Sequence, residues 1–351
     1  MSTYWLMLIL PVLFGLAPIK FDHNLKNIAF FLFGVTLVIL IGFRHEVGGD
    51  WDRYLDSAYG IVKGSSFPDY TYLMRGDYGY RALHWFSVHY LNAIYSTNFI
   101  GASFFIVGLV RFCRIMPMPW LAIAMSVPFL IVVVAMGYTR QSIALGFLMW
   151  ALVDLLNGKS NYYYLWVILG SFFHLTVLVM LPIATLFHKK TINLFILSVF
   201  LLVIMYWLFW GQISHMFYYY ITIEFHHSDG AVARLFMTFI SAVLFFLYRR
   251  EFKEVFYDER LWFVFSIISI FLLPLAFYYS TFIDRIAIYF IPLQLVVFSR
   301  IPILIESKIN RTIFVFFVIA LYLSSLFIWL FFGNFSNHWL PYQNILLVVG
   351  A

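Results

Sequence analysis

Residues 44–54 read RHEVGGDWDRY and directly follow an apolar run that ends at Phe43. Arg44, His45, Glu46, Asp50, Asp52 and Arg53 therefore crowd the end of a hydrophobic segment. Charge at such a boundary serves either as a solvated anchor or as a functional site. Interleaved aromatics and further arginines downstream favour a site. Asp50 and Asp52 form an Asp-x-Asp pair, a short pattern able to hold a divalent metal or a sugar phosphate. Asp50 also suits the N-cap of a helix over 50–63 that ends before Gly64. Trp51, Tyr54, Leu55, Tyr59 and Val62 would share one face of that amphipathic segment.

Arg81, Arg140, Arg234 and Arg285 each fall in the first turn of an expected helix. A helix N-terminus is already electropositive, so an arginine there is unfavourable unless an anion binds or a carboxylate such as Asp284 pairs with it. Backbone N–H groups plus a guanidinium make a phosphate site. Four such positions together point to a large, multiply charged anion such as a lipid diphosphate. His174, in FFHLTVL, sits deep in an apolar segment, where a histidine is either hydrogen-bonded core or functional. His226, His227 and Asp229 suit a solvated loop better than a metal site, because adjacent histidines diverge on a regular backbone.

The elements that must position these residues are dictated by composition. The chain has 351 residues, 64% hydrophobic and only 11% charged, against about 25% charged in a soluble domain. Long continuous apolar runs recur along it, so the bilayer is its solvent and helices are the spanning element. The fold class is all-α: a single polytopic membrane domain over 1–351 with about 11–13 transmembrane or re-entrant helices. Helices are expected over 2–18, 27–43, 79–95, 98–114, 119–136 and 139–156. Further ones are expected over 161–187, 191–210, 231–248, 261–279, 285–300 and 312–332. The first run lacks a basic leader and a small-residue cleavage site, and reads as a retained helix. Residues 44–78 and 211–230 form the two polar loops. The single cysteine, Cys113, excludes an intrachain disulfide and a thiolate metal site.

Lysine and arginine bias sets orientation. Clusters at 20/26, 111/114, 159, 189/190, 249–260 and 300–311 belong on the cytoplasmic side, which puts the 44–78 and 211–230 loops outside. The net charge of +6 is thus a topology signal and not a nucleic-acid signal. Two segments fit poorly as simple spans. Residues 79–95 must be re-entrant or interfacial. Residues 161–187 are long for one crossing and short for two, which a shallow hairpin with His174 near its tip resolves. Irregular elements of this kind are tolerated only around a cavity.

Six short motifs in order carry a family resemblance: Arg44 with GGDWDRY, DYGYRALHW at 77–85, TRQSIALGF at 139–147, SFFHLTVLVMLP at 171–182, DRIAIYF at 284–290 with Pro292, and HWLPYQN at 338–344. The chain resembles the EpsG-like, Wzy-type O-antigen polymerases of bacterial inner membranes. Asp77–Tyr78 stands where the family usually shows Glu-Pro, and Leu175–Thr176 departs from its usual pattern after the histidine.

The resemblance implies a glycosyltransferase acting on the periplasmic face. It would move a growing glycan from undecaprenyl diphosphate to a hydroxyl of an incoming lipid-linked repeat unit. It would need no metal or other cofactor, and would work with a flippase and a chain-length regulator. Asp50, Asp77 and His174, in that order, are the expected general bases. Arg44, Arg81, Arg140, Arg234 and Arg285, with Gln141, Tyr54 and Tyr80, are the expected diphosphate and substrate contacts. The alternatives are an O-antigen ligase, a metal-dependent transferase using a lipid-monophosphate sugar, and a transporter of lipid-linked oligosaccharide. Charge gathered at one face, and not at mid-membrane, argues against transport.

Overall fold

In a computed structural model, the description covers residues 1–17, 22–56, 66–67, 69, 77–187, 192–222, 228 and 230–348. It is an all-α polytopic membrane protein. Among the described residues, four helices are long and apolar enough to cross a bilayer: Asn24–Gly42, Ala93–Arg114, Thr139–Leu156 and Lys308–Phe332. Three bent pairs raise that number to as many as seven if each pair is one span. The only strands among the described residues are Arg44–His45 and Gln343–Asn344.

The chain packs as two compact units. The first comprises Met1–Phe147, Phe172–His174 and Phe316–Ala351; the second comprises Leu148–Ser171 and Leu175–Val315. In the first, the helix His23–Gly42 starts at Asp22, whose carboxylate accepts from the Leu25 N–H at 2.9 Å. This N-cap satisfies a donor that the helix start leaves open. The helix lies along Ala93–Arg114 and stops where Gly42 meets Phe99; a Cβ at Gly42 would come within 2.7 Å of the Phe99 backbone. Arg44–His45 then turns into an antiparallel pair with Gln343–Asn344, in which Arg44 faces Asn344 and His45 faces Gln343. The tail of the chain is thereby tied to the loop that the sequence marks as functional.

Ala93–Arg114 and Thr139–Leu156 approach to backbone contact through two glycines. A Cβ at Gly108 would stand 2.2 Å from the Gly146 carbonyl oxygen, and one at Gly146 would stand 2.6 Å from that of Phe104. Small residues let helices pack in lipid, where burying apolar area gains nothing.

The helix Tyr78–Tyr90 has 13 residues, a length of about 20 Å. That is shorter than a hydrocarbon core of about 30 Å, so by length alone this helix is not a simple span. The chain breaks at Leu91–Asn92, and Ala93 takes a positive φ of 43° before the next helix.

In the second unit, the 161–187 segment forms the expected hairpin. Ser160–Ser171 returns as a 3-10 turn, Leu175–Met180, and a short helix, Ile183–Phe187, and the Tyr163 hydroxyl donates to the Met180 carbonyl across it. Ala231–Leu247 packs on Glu259–Leu275 and Pro292–Leu304. The facing surfaces carry buried Ser241, Ser266 and Ser269, each bonded back to its own helix at 2.7–2.8 Å. Self-satisfied hydroxyls behave as small residues and cost no unpaired donor.

Two boundaries differ from expectation. Residues 211–222 stay helical: Ile192–Leu208 bends by 82° into Trp210–Phe217, and a π turn continues to Thr222. The expected 285–300 helix begins five residues earlier, at Ser280, and is interrupted at 288–290 before Pro292 opens the next helix. The Tyr59 and Val62 end of the amphipathic segment, with Gly64, lies outside the described residues, as do His226, His227 and Asp229.

Candidate active site

The first unit brings three of the quoted motifs together around Arg140. Asp50 immediately precedes the helix Trp51–Asp56, and its carbonyl accepts from the Tyr54 N–H. The Tyr54 hydroxyl turns back to the Asp50 carboxylate at 3.4 Å. Trp51 and Tyr54 are buried, so this short helix is pinned by its apolar side. Asp77 occupies the N-cap of Tyr78–Tyr90 but makes no side-chain cap. Its carboxylate is directed at Arg140, with Nη1 to Oδ2 at 3.4 Å. The Tyr54 hydroxyl and the Asp50 carboxylate both act on the same guanidinium. The Tyr80 ring lies 6.0 Å from it and packs on Tyr54 at 5.4 Å. Arg140 is thus the hub of a half-buried cluster of two carboxylates and two tyrosines.

A contact of 3.4 Å is long for a charge-assisted bond, which is usually about 2.7–2.9 Å. The Asp77 pair holds Arg140 in place without saturating it. Such a site can exchange a carboxylate for an incoming phosphate while the second carboxylate takes up a proton.

Two further elements are fixed around it. The Gly79 N–H donates to the Phe172 carbonyl at 2.7 Å, and a Cβ at Gly79 would meet Phe172 at 3.0 Å. This bond joins the helix carrying Tyr80 and Arg81 to the tip that carries His174. The Arg81 guanidinium lies over the Tyr78 ring at 4.4 Å, and Gln141 is buried one residue beyond Arg140.

Arg44 has a different part. It is 2% exposed and directs four donor contacts inward: to the carbonyls of Ile41 (2.7 Å) and Val47 (3.1 Å), to Asn98 Oδ1 (3.1 Å) and to Thr139 Oγ1 (3.0 Å). It braces the residue next to Arg140 and does not present its donors to a ligand. Sequence reasoning missed Asn98 and Thr139, although a polar asparagine in an otherwise apolar span was the available signal. It also left HWLPYQN without a role. Trp339 donates to the Val132 carbonyl at 2.7 Å and lies against Gly137, where a Cβ would meet its ring at 2.7 Å.

In the second unit, Arg234 grips Asp284 through both carboxylate oxygens (Nε 3.0 Å, Nη2 2.5 Å), and Ser228 bonds to both partners. The pairing with Asp284 raised from sequence is therefore the one observed. Gly230 makes room for it, since a Cβ there would stand 2.4 Å from Arg234 Nη1. Arg285 is a correction. It lies in the last turn of Ser280–Ala287, not the first, so the N-terminal field invoked for it does not act there. Arg81, Arg140 and Arg234 do occupy first turns. The same unit holds a cavity of about 500 Å³ lined by Leu178, Val199, Leu202, Val203, Phe282 and Ile286 among others. Among the described residues, no three His, Cys, Asp or Glu side chains gather in a way that would ligate a metal.

The fold defines a multi-pass membrane protein in which two carboxylates and two tyrosines gather at Arg140. The chain belongs to the EpsG family, whose model matches residues 27–344. The matched span contains every candidate site residue named above and ends at Asn344, the strand partner of Arg44. With the family comes the class of Wzy-type, polymerase-like glycosyltransferases of bacterial membranes. No curated protein and no solved structure matches the chain.

Proposed function

We propose that this protein polymerises lipid-linked oligosaccharide repeat units on the periplasmic face of the bacterial inner membrane. The donor is a growing glycan on undecaprenyl diphosphate, and the acceptor is a hydroxyl of an incoming unit on the same carrier. The observation that carries this reading is the meeting of Asp50, Tyr54, Asp77 and Tyr80 at Arg140, drawn from three separate motifs.

The step balances with these groups. The bond between the anomeric carbon and the diphosphate oxygen breaks, and its electron pair leaves with the lipid diphosphate. The acceptor oxygen forms the new glycosidic bond and its proton passes to a carboxylate. Arg140 stabilises the charge that grows on the leaving diphosphate, a contribution that is largest in a site drier than bulk water. Asp50 is the base, because its carboxylate is held by one long hydrogen bond, from Tyr54, while Asp77 is paired directly with Arg140. Asp77 orients Arg140 until phosphate replaces it. Asp77 and then His174, which lies at the tip bonded to Gly79, are the further candidates to receive the proton. A flippase and a chain-length regulator complete the reading as partners.

The test is a reconstitution. Purified protein is mixed with undecaprenyl-diphosphate-linked repeat units, with and without EDTA, and the products are sized on a gel. A ladder indifferent to EDTA and lost in Arg140→Ala is the expected result. A ladder lost with EDTA would move the chemistry to Asp50 and Asp52 as metal ligands. No ladder from folded protein and cognate substrate would overturn polymerisation.

A further inference from the structure

Arg44 is a buried cation that faces no carboxylate among the described residues. Its contacts are two backbone carbonyls, the Asn98 amide oxygen and the Thr139 hydroxyl. The acidic side chains of the site lie by Arg140, while the ionisable side chains about Arg44 are four tyrosines, Tyr80, Tyr54, Tyr342 and Tyr4. Burial pulls the guanidinium down to about 10, which leaves it charged at neutral pH. An arginine with so little access to water normally has a partner, because an unpaired buried charge is costly.

Asn98 sharpens the point. Its oxygen accepts from Arg44 and from Thr139 (3.4 Å), but its buried Nδ2 has no hydrogen-bond partner. An aspartate at 98 would keep both accepted bonds, remove the orphaned donor and neutralise Arg44. For stability alone, aspartate is the better residue. The asparagine keeps the charge of Arg44 uncompensated.

We infer that Arg44 is a fixed, non-contacting positive charge that strengthens anion binding at Arg140, and that Asn98 is the positioning residue that holds it without cancelling it. The physical link is short. Thr139, which bonds Arg44, precedes Arg140 in the same first helical turn, and Tyr54 and Tyr80 neighbour both arginines, with the Tyr80 ring 6.0 Å from the Arg140 guanidinium. In a site of low effective dielectric, a buried charge acts over such distances with little screening. The inference rests on the proposed function only in that the anion is taken to be the lipid diphosphate.

Asn98→Asp and Asn98→Leu separate this role from a structural one. Binding of geranyl diphosphate to the detergent-purified full chain is measured beside thermal stability, and the KM for lipid-linked repeat units beside kcat. Asn98→Asp should bind geranyl diphosphate about tenfold more weakly, equivalent to about 1.4 kcal/mol, and raise KM similarly, with a Tm equal to or above wild type. Asn98→Leu removes the hydrogen bonds but leaves the charge, so it should lower Tm and retain more of the diphosphate affinity than Asn98→Asp does. Wild-type affinity in Asn98→Asp, or a loss confined to Asn98→Leu, would overturn the inference. The geranyl diphosphate measurement does not require polymerisation. A wild type that binds it but makes no ladder would count against the proposed function and leave this inference standing.

Discussion

Arg140 Nη1 and Asp77 Oδ2 lie 3.4 Å apart, across 63 residues of sequence. Asp77 stands at an N-cap yet makes no cap bond. It gives up a local interaction worth about 1 kcal/mol to face the guanidinium. This pair organises the predictions about activity.

Arg140→Ala should lower kcat by about 100-fold or more, the usual consequence of removing a donor from a developing anion. Arg140→Lys should recover only part of it, since an ammonium lacks the planar fork that meets two phosphate oxygens. Initial rates of polymer formation on lipid-linked repeats would show this. Equal activity in the alanine variant would remove Arg140 from the leaving-group role.

Asp50→Asn and Asp77→Asn should separate base from orienter. Loss of a general base costs about 10²–10⁴ in rate, so Asp50→Asn should collapse kcat and leave substrate affinity near wild type. Asp77→Asn retains the geometry of an acceptor and should lose about tenfold, with a change in KM as Arg140 relaxes. If the two variants exchanged these signatures, Asp77 would be the base.

Gly48→Ala should destabilise the first unit by about 2 kcal/mol or more. Gly48 has φ +110°, and a Cβ there would stand 2.1 Å from the Met136 carbonyl oxygen, so the substitution meets both strain and a backbone clash. The Gly48 N–H also bonds to the His338 carbonyl at 2.8 Å, which couples the loss to the tail. Thermal inactivation in detergent would report it; an unchanged midpoint would show that the loop can open at no cost.

Gly108→Val and Gly146→Val should each prevent close approach of Ala93–Arg114 and Thr139–Leu156, because the Cβ would overlap backbone rather than a flexible side chain. Lower yield of monodisperse protein and a lower midpoint are expected, with the double variant no worse than the sum. A well-behaved Gly108→Val would argue against glycine contact as the helix-pairing device.

Arg300 and Asp258 form a buried bidentate pair (2.6 and 2.8 Å) in the second unit, with Trp262 Nε1 on the same carboxylate at 2.8 Å. Arg300→Met alone should cost about 3–5 kcal/mol, because Asp258 is then left charged and buried. Adding Asp258→Asn keeps an acceptor for Trp262 and should return more than half of the loss. A double variant as unstable as the single one would mean that the pair acts through packing and not through charge.

The helices and their membrane setting were legible along the chain, because lipid leaves the backbone few options and the apolar runs are long. The hairpin at 161–187 was inferable for the same reason: its length fits neither one crossing nor two. Arg285 was misplaced relative to its helix because Ser280 starts that helix early and the 288–290 interruption leaves no apolar or polar signature in so hydrophobic a stretch.

Residue type and order by themselves determined an all-α membrane protein of the EpsG family, with candidate acids at Asp50 and Asp77 and a candidate anion site at Arg140. Only the tertiary structure decided which of those residues meet. Charge pairing depends on which side chains are brought within a few ångströms, and one-dimensional spacing does not encode that distance. Three arginines with the same position in their helices thus diverge: Arg140 faces an exchangeable carboxylate, Arg234 is locked to Asp284 and Arg81 lies over Tyr78. Arg44, the most conspicuous charge in the chain, turns inward to Asn98 and Thr139.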